Sequence, residues 1–303
     1  MKLGSFGSGD RATEFRAGLF VDGGVIDIAA ARPDLSSSLL QILQSGEGAI
    51  ETVRQIAREA DEGALPAGAF LESSGIRYGA PIRPGKMICV GGNYEDYRRI
   101  LNLPELPVPA FFLKSPDCVV AHDDNVEIPE GYGVFYQEWE LSCVIGQKCR
   151  HVSEDEAEKA IFGYTIVNDI TGHTLENLGP RPYHMLGKNM ETFAPVGPWI
   201  LAKEALPKSV YDLQARRWRN GELVCESSTR EMRRSFAEII SYVSNFMTLY
   251  PGDIVTGASP PAGPIEAGDE IEVEFEGVGR LRNQVVRADI DPSYGRLIGI
   301  EQT

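Results

Sequence analysis

Two glutamates stand two residues apart in a mostly apolar segment, QEWELSCVIG at residues 137–146. If this segment forms a strand, Glu138 and Glu140 point to one face, whereas Trp139 and Leu141 point to the other. Two carboxylates at that spacing repel each other, so solvent, basic side chains or a metal ion must compensate their charge. The segment therefore predicts either a solvated strand face or a charged functional site.

A third carboxylate lies in a second apolar segment, GYTIVNDITG at residues 163–172. The alternation of this segment places Asp169 on the same face as Val167, at the mouth of the strand, where it could join Glu138 and Glu140. Three carboxylate oxygens suit a hard divalent cation such as Mg2+, and Mn2+ or Ca2+ would also be tolerated. The alternative is a solvated strand face with Asp169 as a turn residue.

The composition is that of an ordinary soluble protein. The chain has 303 residues, of which 43% are hydrophobic and 24% charged, and a formal net charge of -15. That charge opposes binding to nucleic acid or an anionic membrane, which favours a small-molecule partner. No apolar run reaches the ~18 residues of a membrane span. Because residues 1–15 also lack the apolar segment of a signal peptide, we expect a cytoplasmic protein.

The hydrophobic pattern divides the chain near residue 80 into a small N-terminal α+β domain (1–80) and a larger domain (81–303). In the first, two strands flank the turn DGG at 22–24, and helices are predicted at about 35–44 and 48–62. In the second, only 93–102, 154–162 and 230–247 have a helical pattern. Its predicted strands are KMICVGG, AFFLK, NVEIP, WELSCVIG, IFGYTIVND, PVGPWIL, DIVTG and EIEVEFEGVGRLRNQVV. Many strands with few helices favour a sandwich, roll or barrel.

The segment from QEWELSCVIG to GYTIVNDIT resembles the central signature of the fumarylacetoacetate hydrolase family. GKNMETFAPVGPWI resembles the lysine motif of that family, GDIVTG its T-G-x-P loop and GDEIEVEFEGVGRLRNQVV its closing strand pair, while ICVGGNYEDY and FFLKSP occupy the usual upstream order. The resemblance covers about residues 84–290. It implies a mostly β, α+β protein with a mixed β-sandwich roll as its catalytic domain, usually assembled as a homodimer.

The resemblance also implies roles for individual residues. Glu138, Glu140 and Asp169 would be the ligands of Mg2+ or a similar ion, Lys188 the active-site lysine, and Thr256 a contact of the substrate carboxylate or oxo group. Lys114 matches a lysine frequent at this family position and would contact the substrate, with a solvated strand-end charge as the alternative. Tyr94 would line the substrate pocket or pack under a loop, and Tyr97 occupies a lid position at the pocket.

The substrates implied are 2-oxo or 1,3-dicarbonyl acids. Hydrolysis of the carbon–carbon bond in an acylpyruvate, or in a compound of the fumarylacetoacetate type, releases an enolate. Lys188 could stabilise its charge by a hydrogen bond. Hydrolysis also needs a base that activates water.

The lid segment departs from the family pattern. Many hydrolytic and decarboxylating members carry N-Y-x-x-H-x-x-E, but this chain reads NYEDYRRI, with Tyr97 and Ile100 in place of the His-Glu pair. A tyrosine with a reference pKa of about 10 is a poor base at neutral pH. The alternative function is therefore an isomerase, tautomerase, decarboxylase or hydratase that forms an enolate without water attack. A binding protein that retains the fold and the metal site is a third hypothesis.

Another histidine could replace the missing base. His173 follows Asp169 by four residues and is the best substitute in the sequence, with a loop hydrogen bond as its alternative role. His184 is a weaker candidate, near Lys188 in the sequence. His122 and His151 lie in polar connecting stretches and are predicted to be surface residues.

Overall fold

The structure, a computed structural model, describes residues 1–9 and 12–291. Residues 10, 11 and 292–303 lie outside the described residues. The predictions made for the ranges 1–15, 1–80 and 81–303 are therefore not assessed at these positions. Within the described residues the chain is mostly β with few helices, as the sequence predicted. None of the described helices is both long and apolar enough to cross a bilayer.

From Met87 onward each predicted strand segment forms a strand. In chain order the strands are β1 (Lys2–Ser8), β2 (Arg16–Val21), β3 (Gly24–Asp27), β4 (Phe70–Glu72), β5 (Ile76–Gly79), β6 (Met87–Gly91), β7 (Ala110–Lys114), β8 (Val119–Val120), β9 (Asn125–Pro129), β10 (Phe135–Ile145), β11 (Ile161–Gly172), β12 (Ala194–Ala202), β13 (Gln214–Arg219), β14 (Glu222–Ser228), β15 (Ile254–Thr256), β16 (Gly263–Ile265), β17 (Glu270–Phe275) and β18 (Gly279–Ala288). The structure thus adds β8, β13, β14 and β16, which were not predicted.

The helices are short apart from α3. They are α1 (Ile28–Ala31), α2 (Leu39–Gln44), α3 (Glu47–Asp61), α4 (Glu95–Ile100), α5 (Glu154–Ala160), α6 (His173–Glu176), α7 (His184–Lys188) and α8 (Phe236–Ser244). Two of them begin later than predicted because a serine caps the first turn. Ser38 accepts a hydrogen bond from the Gln41 amide before α2, and Ser235 accepts one from the Glu238 amide before α8.

Two sheets carry the fold. The larger has the main order β4-β3-β2-β1-β12-β11-β10-β15-β6-β7, and the smaller has the order β14-β13-β17-β18-β9. The strands before residue 80 join the large sheet through β1, where Leu3 pairs with Ile200 of β12. The sheet is therefore continuous across the predicted boundary near residue 80, which stays a prediction.

The central strand β10 separates two apolar cores. Trp139 and Leu141 pack with residues of the small sheet and α8, and the Trp139 ring lies 5.7 Å from the Phe275 ring. On the other face, Val144 packs with residues of the N-terminal helices, such as Val53. In the N-terminal half of β10, this second face carries Glu138 and Glu140 instead of apolar side chains. The predicted division into an apolar face and an acidic face is confirmed.

The pairing of β10 with β11 fixes the position of the third carboxylate. Glu138 pairs with Asp169, and Glu140 pairs with Val167, in an antiparallel ladder. Residues that pair directly share a face of the sheet. Asp169 therefore lies beside Glu138, and the backbone of two buried strands holds both groups.

We expect Leu141→Ala to lower the free energy of unfolding by about 2–5 kcal/mol, because it removes a buried side chain from the strand that carries both glutamates. Leu223→Ala is the matched control, since Leu223 lies on β14 and is 48% exposed; it should change stability by less than about 0.5 kcal/mol. Urea unfolding measures both. Equal losses in the two variants would contradict the packing described for β10.

Candidate metal centre

Three carboxylates converge on one face of β10 and β11. One oxygen each from Glu138, Glu140 and Asp169 lies within 4.8 Å of the others. Glu140 and Asp169 are buried, whereas the Glu138 side chain is 21% exposed. The structure thus brings together the trio that the sequence predicted, with one edge facing solvent. Their role as metal ligands stays a prediction.

Two buried lysines compensate part of the negative charge. The Lys188 Nζ donates hydrogen bonds to Glu138 Oε2 at 2.9 Å, Asp169 Oδ2 at 2.8 Å and Thr171 Oγ1 at 2.8 Å. The Lys114 Nζ contacts Asp169 Oδ1 at 2.5 Å and donates to the Ile170 carbonyl at 3.1 Å. With all five charged groups ionised, three negative and two positive charges leave one net negative charge. Basic side chains are therefore the first partners of the acidic face.

Electrostatics keeps Lys188 charged despite its burial. Burial alone would lower the pKa of the Lys188 ammonium group, but the neighbouring Asp169 and Glu138 carboxylates raise it well above its usual value. Burial likewise opposes ionisation of Asp169, yet Lys114 and Lys188 hold its pKa below the usual value. Lys188 is thus a fixed cation that can stabilise negative charge on an oxygen.

Glu140 is the carboxylate that remains poorly compensated. Burial, followed by the charge of Asp169, raises its pKa well above the usual value, and a hydrogen bond from Thr256 opposes the shift. Its Oε2 atom is buried and has no hydrogen-bond partner among the described residues. Leaving a buried acceptor unpaired is costly, and a hard cation would satisfy it. The oxygen-only donor set therefore fits a divalent ion of the Mg2+ or Mn2+ type.

Thr256 lies beneath the carboxylates. It is fully buried on β15, its Oγ1 accepts a hydrogen bond from the Val90 amide at 3.1 Å, and its hydroxyl interacts with Glu140. In this position Thr256 orients a carboxylate. The predicted contact with a substrate stays untested.

The two predicted pocket tyrosines lie at different depths. Tyr94 is fully buried, and its hydroxyl has no hydrogen-bond partner among the described residues. Tyr97 is half-buried on α4; burial, followed by the charge of Glu138, raises its pKa, so it stays neutral. Ile100, on the same helix, is 67% exposed. The lid positions therefore bring a neutral phenol towards the site and no acid–base pair.

His173 lies at the rim of the same face. Its exposed ring stacks on Tyr136 with centroids 4.8 Å apart, and Tyr136 precedes Glu138 by two residues on β10. None of the hydrogen bonds within residues 1–9 and 12–291 joins this ring to the three carboxylates. The catalytic role predicted for His173 stays a prediction.

His184 makes a contact that the sequence did not reveal. Its Nδ1 lies 2.5 Å from Glu176 Oε1, and its ring stacks on Phe112 at 4.5 Å. The Lys188 Nζ lies over the same Phe112 ring, 5.1 Å from its centroid. Neither Glu176 nor Phe112 was among the predicted site residues. The weak signal available was an acidic residue eight positions before the histidine, in a segment without periodicity.

Comparison with known proteins found a family model and relatives that are similar to this chain. The family model for the C-terminal domain of fumarylacetoacetate (FAA) hydrolase matches residues 86–286. The mitochondrial oxaloacetate tautomerase FAHD2B of Bos taurus is 33% identical over 273 residues, which cover 87% of this chain and 84% of the relative.

Solved structures with the same fold carry different activities in their names. Maleylpyruvate hydrolase from Sphingobium sp. SYK-6, solved with manganese(II) and pyruvate, has a TM-score of 0.77 at 26% identity and covers 95% of this chain and 100% of its own. A 5-carboxymethyl-2-hydroxymuconate delta-isomerase from Mycobacterium smegmatis has a TM-score of 0.73 at 25% identity, covering 96% and 100%.

Glu140→Gln tests the carboxylate trio, because it removes one charge and preserves the shape of the side chain. We expect the affinity for Mn2+ to fall by about 100-fold or more, since loss of a second-sphere partner alone costs roughly 10–100-fold. Titration calorimetry measures the affinity. The control is Glu127→Gln, at an exposed position of β9, which should bind Mn2+ like the wild type. An unchanged affinity in Glu140→Gln would exclude this trio as the metal site.

Lys188→Met tests the buried ion pairs. In protein kept free of metal with a chelator, we expect the variant to lose about 3–5 kcal/mol of unfolding free energy, because two carboxylates lose a partner charge. Added Mn2+ should restore part of the loss, since it binds only the folded state. Lys159→Met changes an exposed lysine and should have little effect. A Lys188→Met variant as stable as the wild type would contradict the network.

Proposed function

The chain belongs to the fumarylacetoacetate (FAA) hydrolase family, and on that premise we propose that it is a divalent-metal-dependent enzyme that hydrolyses a carbon–carbon bond in a 2-oxo or 1,3-dicarbonyl acid of the acylpyruvate type. The observation that supports this most strongly is the convergence of three carboxylates, two of which contact the Lys188 ammonium group. A related fold solved with manganese(II) and pyruvate adds support.

Glu138, Glu140 and Asp169 would hold the ion. When bound, a divalent ion supplies Lewis-acid polarisation of the 2-oxo group. The chain's own residues contribute charge and orientation. Lys114 neutralises one oxygen of Asp169 from inside the protein, and Thr256 orients Glu140 from the neighbouring strand.

Lys188 provides the positive charge that an enolate oxygen requires. Its three N–H groups are already used by Glu138, Asp169 and Thr171. A hydrogen bond to a substrate oxygen therefore requires one of these contacts to be exchanged. Glu138 is the partner with a solvent-exposed edge, so we expect this contact to be the one replaced. The Lys188 ammonium group is then in place before the enolate forms. Such a preorganised charge lowers the activation barrier.

A second candidate function is isomerisation or keto–enol tautomerisation of a 2-oxo acid. Two observations favour it: Tyr97 and Ile100 supply no base at the lid, and the bovine relative is named an oxaloacetate tautomerase. Both candidates require the same stabilised enolate, but only hydrolysis requires an activated water. Analysis of products separates them, since hydrolysis yields two fragments and tautomerisation yields one isomer.

The test of the proposal is an assay of acylpyruvates and related diketo acids with Mg2+ or Mn2+. We expect turnover that disappears with a chelator, and a kcat about 100- to 1,000-fold lower in Lys188→Met because charge stabilisation at the oxygen is lost. Lys159→Met should retain the wild-type kcat. If Mn2+ binds but no substrate of this class is turned over, the proposal is wrong and a binding function remains.

The lid can be tested separately with Tyr97→His combined with Ile100→Glu. If water activation limits hydrolysis, we expect this double variant to raise the rate of carbon–carbon cleavage by about 10-fold or more, as a positioned base contributes roughly 100- to 10,000-fold. Ile100→Glu alone is the control, because it adds the acid without the base. No gain in the double variant would show that the base resides elsewhere.

A further inference from the structure

We propose that His184, held by Glu176, is the proton-transferring group of this enzyme and takes over the task of the absent lid pair. The inference rests on the proposed function, because it requires an enolate formed beside Lys188. It assigns the acid–base step to residues of α6 and α7.

The first observation is the geometry of the pair. Nδ1 of His184 lies 2.5 Å from Glu176 Oε1. An ionised carboxylate only accepts hydrogen bonds, so Nδ1 carries the proton and Nε2 is left as the acceptor in neutral imidazole. A carboxylate on one ring nitrogen fixes the tautomer and the orientation of the ring for chemistry at the other nitrogen.

The second observation concerns the state of Glu176. Its side chain is only 11% exposed. Burial alone would raise its pKa, but the hydrogen bond from His184 and the charge of Lys188 outweigh burial, and the net shift is downward. Glu176 is therefore a buried anion whose function in the fold is otherwise unassigned, and its hydrogen-bond partner is the His184 ring.

The third observation is the position of His184 relative to the metal centre. His184 and Lys188 are four residues apart on α7, a spacing that places side chains about 5–6 Å apart at Cβ. The His184 ring stacks on Phe112, and the Lys188 ammonium group lies over the same ring. Phe112 thus contacts both the histidine and the lysine that would stabilise the enolate.

The fourth observation is access. His184 is 43% exposed and lines a cavity of about 370 Å3, together with Phe112, Arg98 and Pro182. Among the charged groups around the ring, Glu176 faces it from α6, Arg98 borders the cavity from α4, and Lys188 follows it on α7. Water or a substrate can therefore reach the ring from the cavity.

The proton balance of hydrolysis is complete with this single pair. Neutral His184 accepts a proton at Nε2 from water as the water oxygen bonds to the distal carbonyl carbon. The carbon–carbon bond then breaks, and its electron pair forms the enolate of the 2-oxo acid. The imidazolium returns the proton to the enolate carbon, which gives a carboxylic acid and the 2-oxo acid. In tautomerisation Nε2 takes a proton from that carbon, and the imidazolium delivers it to the enolate oxygen to give the enol; the reverse sequence regenerates the keto form.

Exchange of the C3 hydrogens of pyruvate in D2O isolates the proposed step from water attack. We expect wild-type protein with Mg2+ to catalyse the exchange, measured by mass spectrometry, and His184→Ala to be slower by about 100-fold or more. Added imidazole should restore much of the rate in His184→Ala, because the emptied position opens to the cavity. Glu176→Gln should lose about 10-fold, since the ring remains but its orientation is no longer fixed.

Matched controls separate chemistry from structure. His151→Asn changes an exposed histidine that contacts Asn245, the residue directly after α8, and should retain the wild-type rate. Mn2+ affinity should stay within about threefold in all variants, as none removes a carboxylate of the trio. Without any metal, 15N-labelled histidine should show a downfield ring N–H signal that disappears in His184→Ala and shifts in Glu176→Gln.

The outcomes are distinguishable. If the wild type binds Mn2+ but exchanges no 2-oxo acid, both the proposed function and this inference fail. If the wild type exchanges pyruvate and His184→Ala does so at a similar rate, only the inference fails. Loss of exchange in His173→Ala with retention in His184→Ala would assign the step to His173 and overturn the inference. A lost rate in His184→Ala that imidazole does not restore would also contradict it.

Discussion

The site depends on one buried interaction, the pair of salt bridges that Lys188 makes with Glu138 and Asp169 across neighbouring strands. Without a counter-charge, carboxylates paired directly in a ladder would repel each other in a region with little water. Lys188 is held at the end of α7, and Lys114 reaches Asp169 from β7. The large sheet therefore tolerates an acidic patch because two separate elements each deliver a lysine to it.

The same salt bridges explain why the carboxylate cluster still favours a cation, because they compensate only part of its negative charge. Lys114 and Lys188 occupy both oxygens of Asp169 and one oxygen of Glu138, while one buried oxygen of Glu140 has no partner in the part of the chain that the structure describes. A fully compensated cluster would have no electrostatic reason to bind a divalent ion, and an uncompensated one would destabilise the sheet. The observed arrangement lies between these limits.

Much of this could be read from the sequence because it depends on local periodicity. The alternation in QEWELSCVIG and GYTIVNDITG fixed the faces of the three carboxylates, and the long strands made the pairing partner predictable. The hairpin of β13 and β14 was missed, although Asn220 and Gly221 form a strong turn signal with φ values of 54° and 77°. The roles of Glu176 and Phe112 could not be predicted, since α6 and α7 are one-turn helices whose approach is set by tertiary packing.

The replacement of the lid pair gains a physical explanation from the position of α7. A base on a mobile lid is brought to the substrate only when the lid closes, whereas His184 lies four residues from Lys188 on the same helix. Tyr97 supplies only a neutral phenol at the corresponding position of α4, although the same helix also carries charged side chains such as Asp96 and Arg98. Acid–base chemistry placed on α7 would then be coupled to the lysine rather than to lid movement. Substrate selection and proton transfer would therefore reside on different elements, and substitutions in α4 could alter specificity while His184 and Glu176 remain in place.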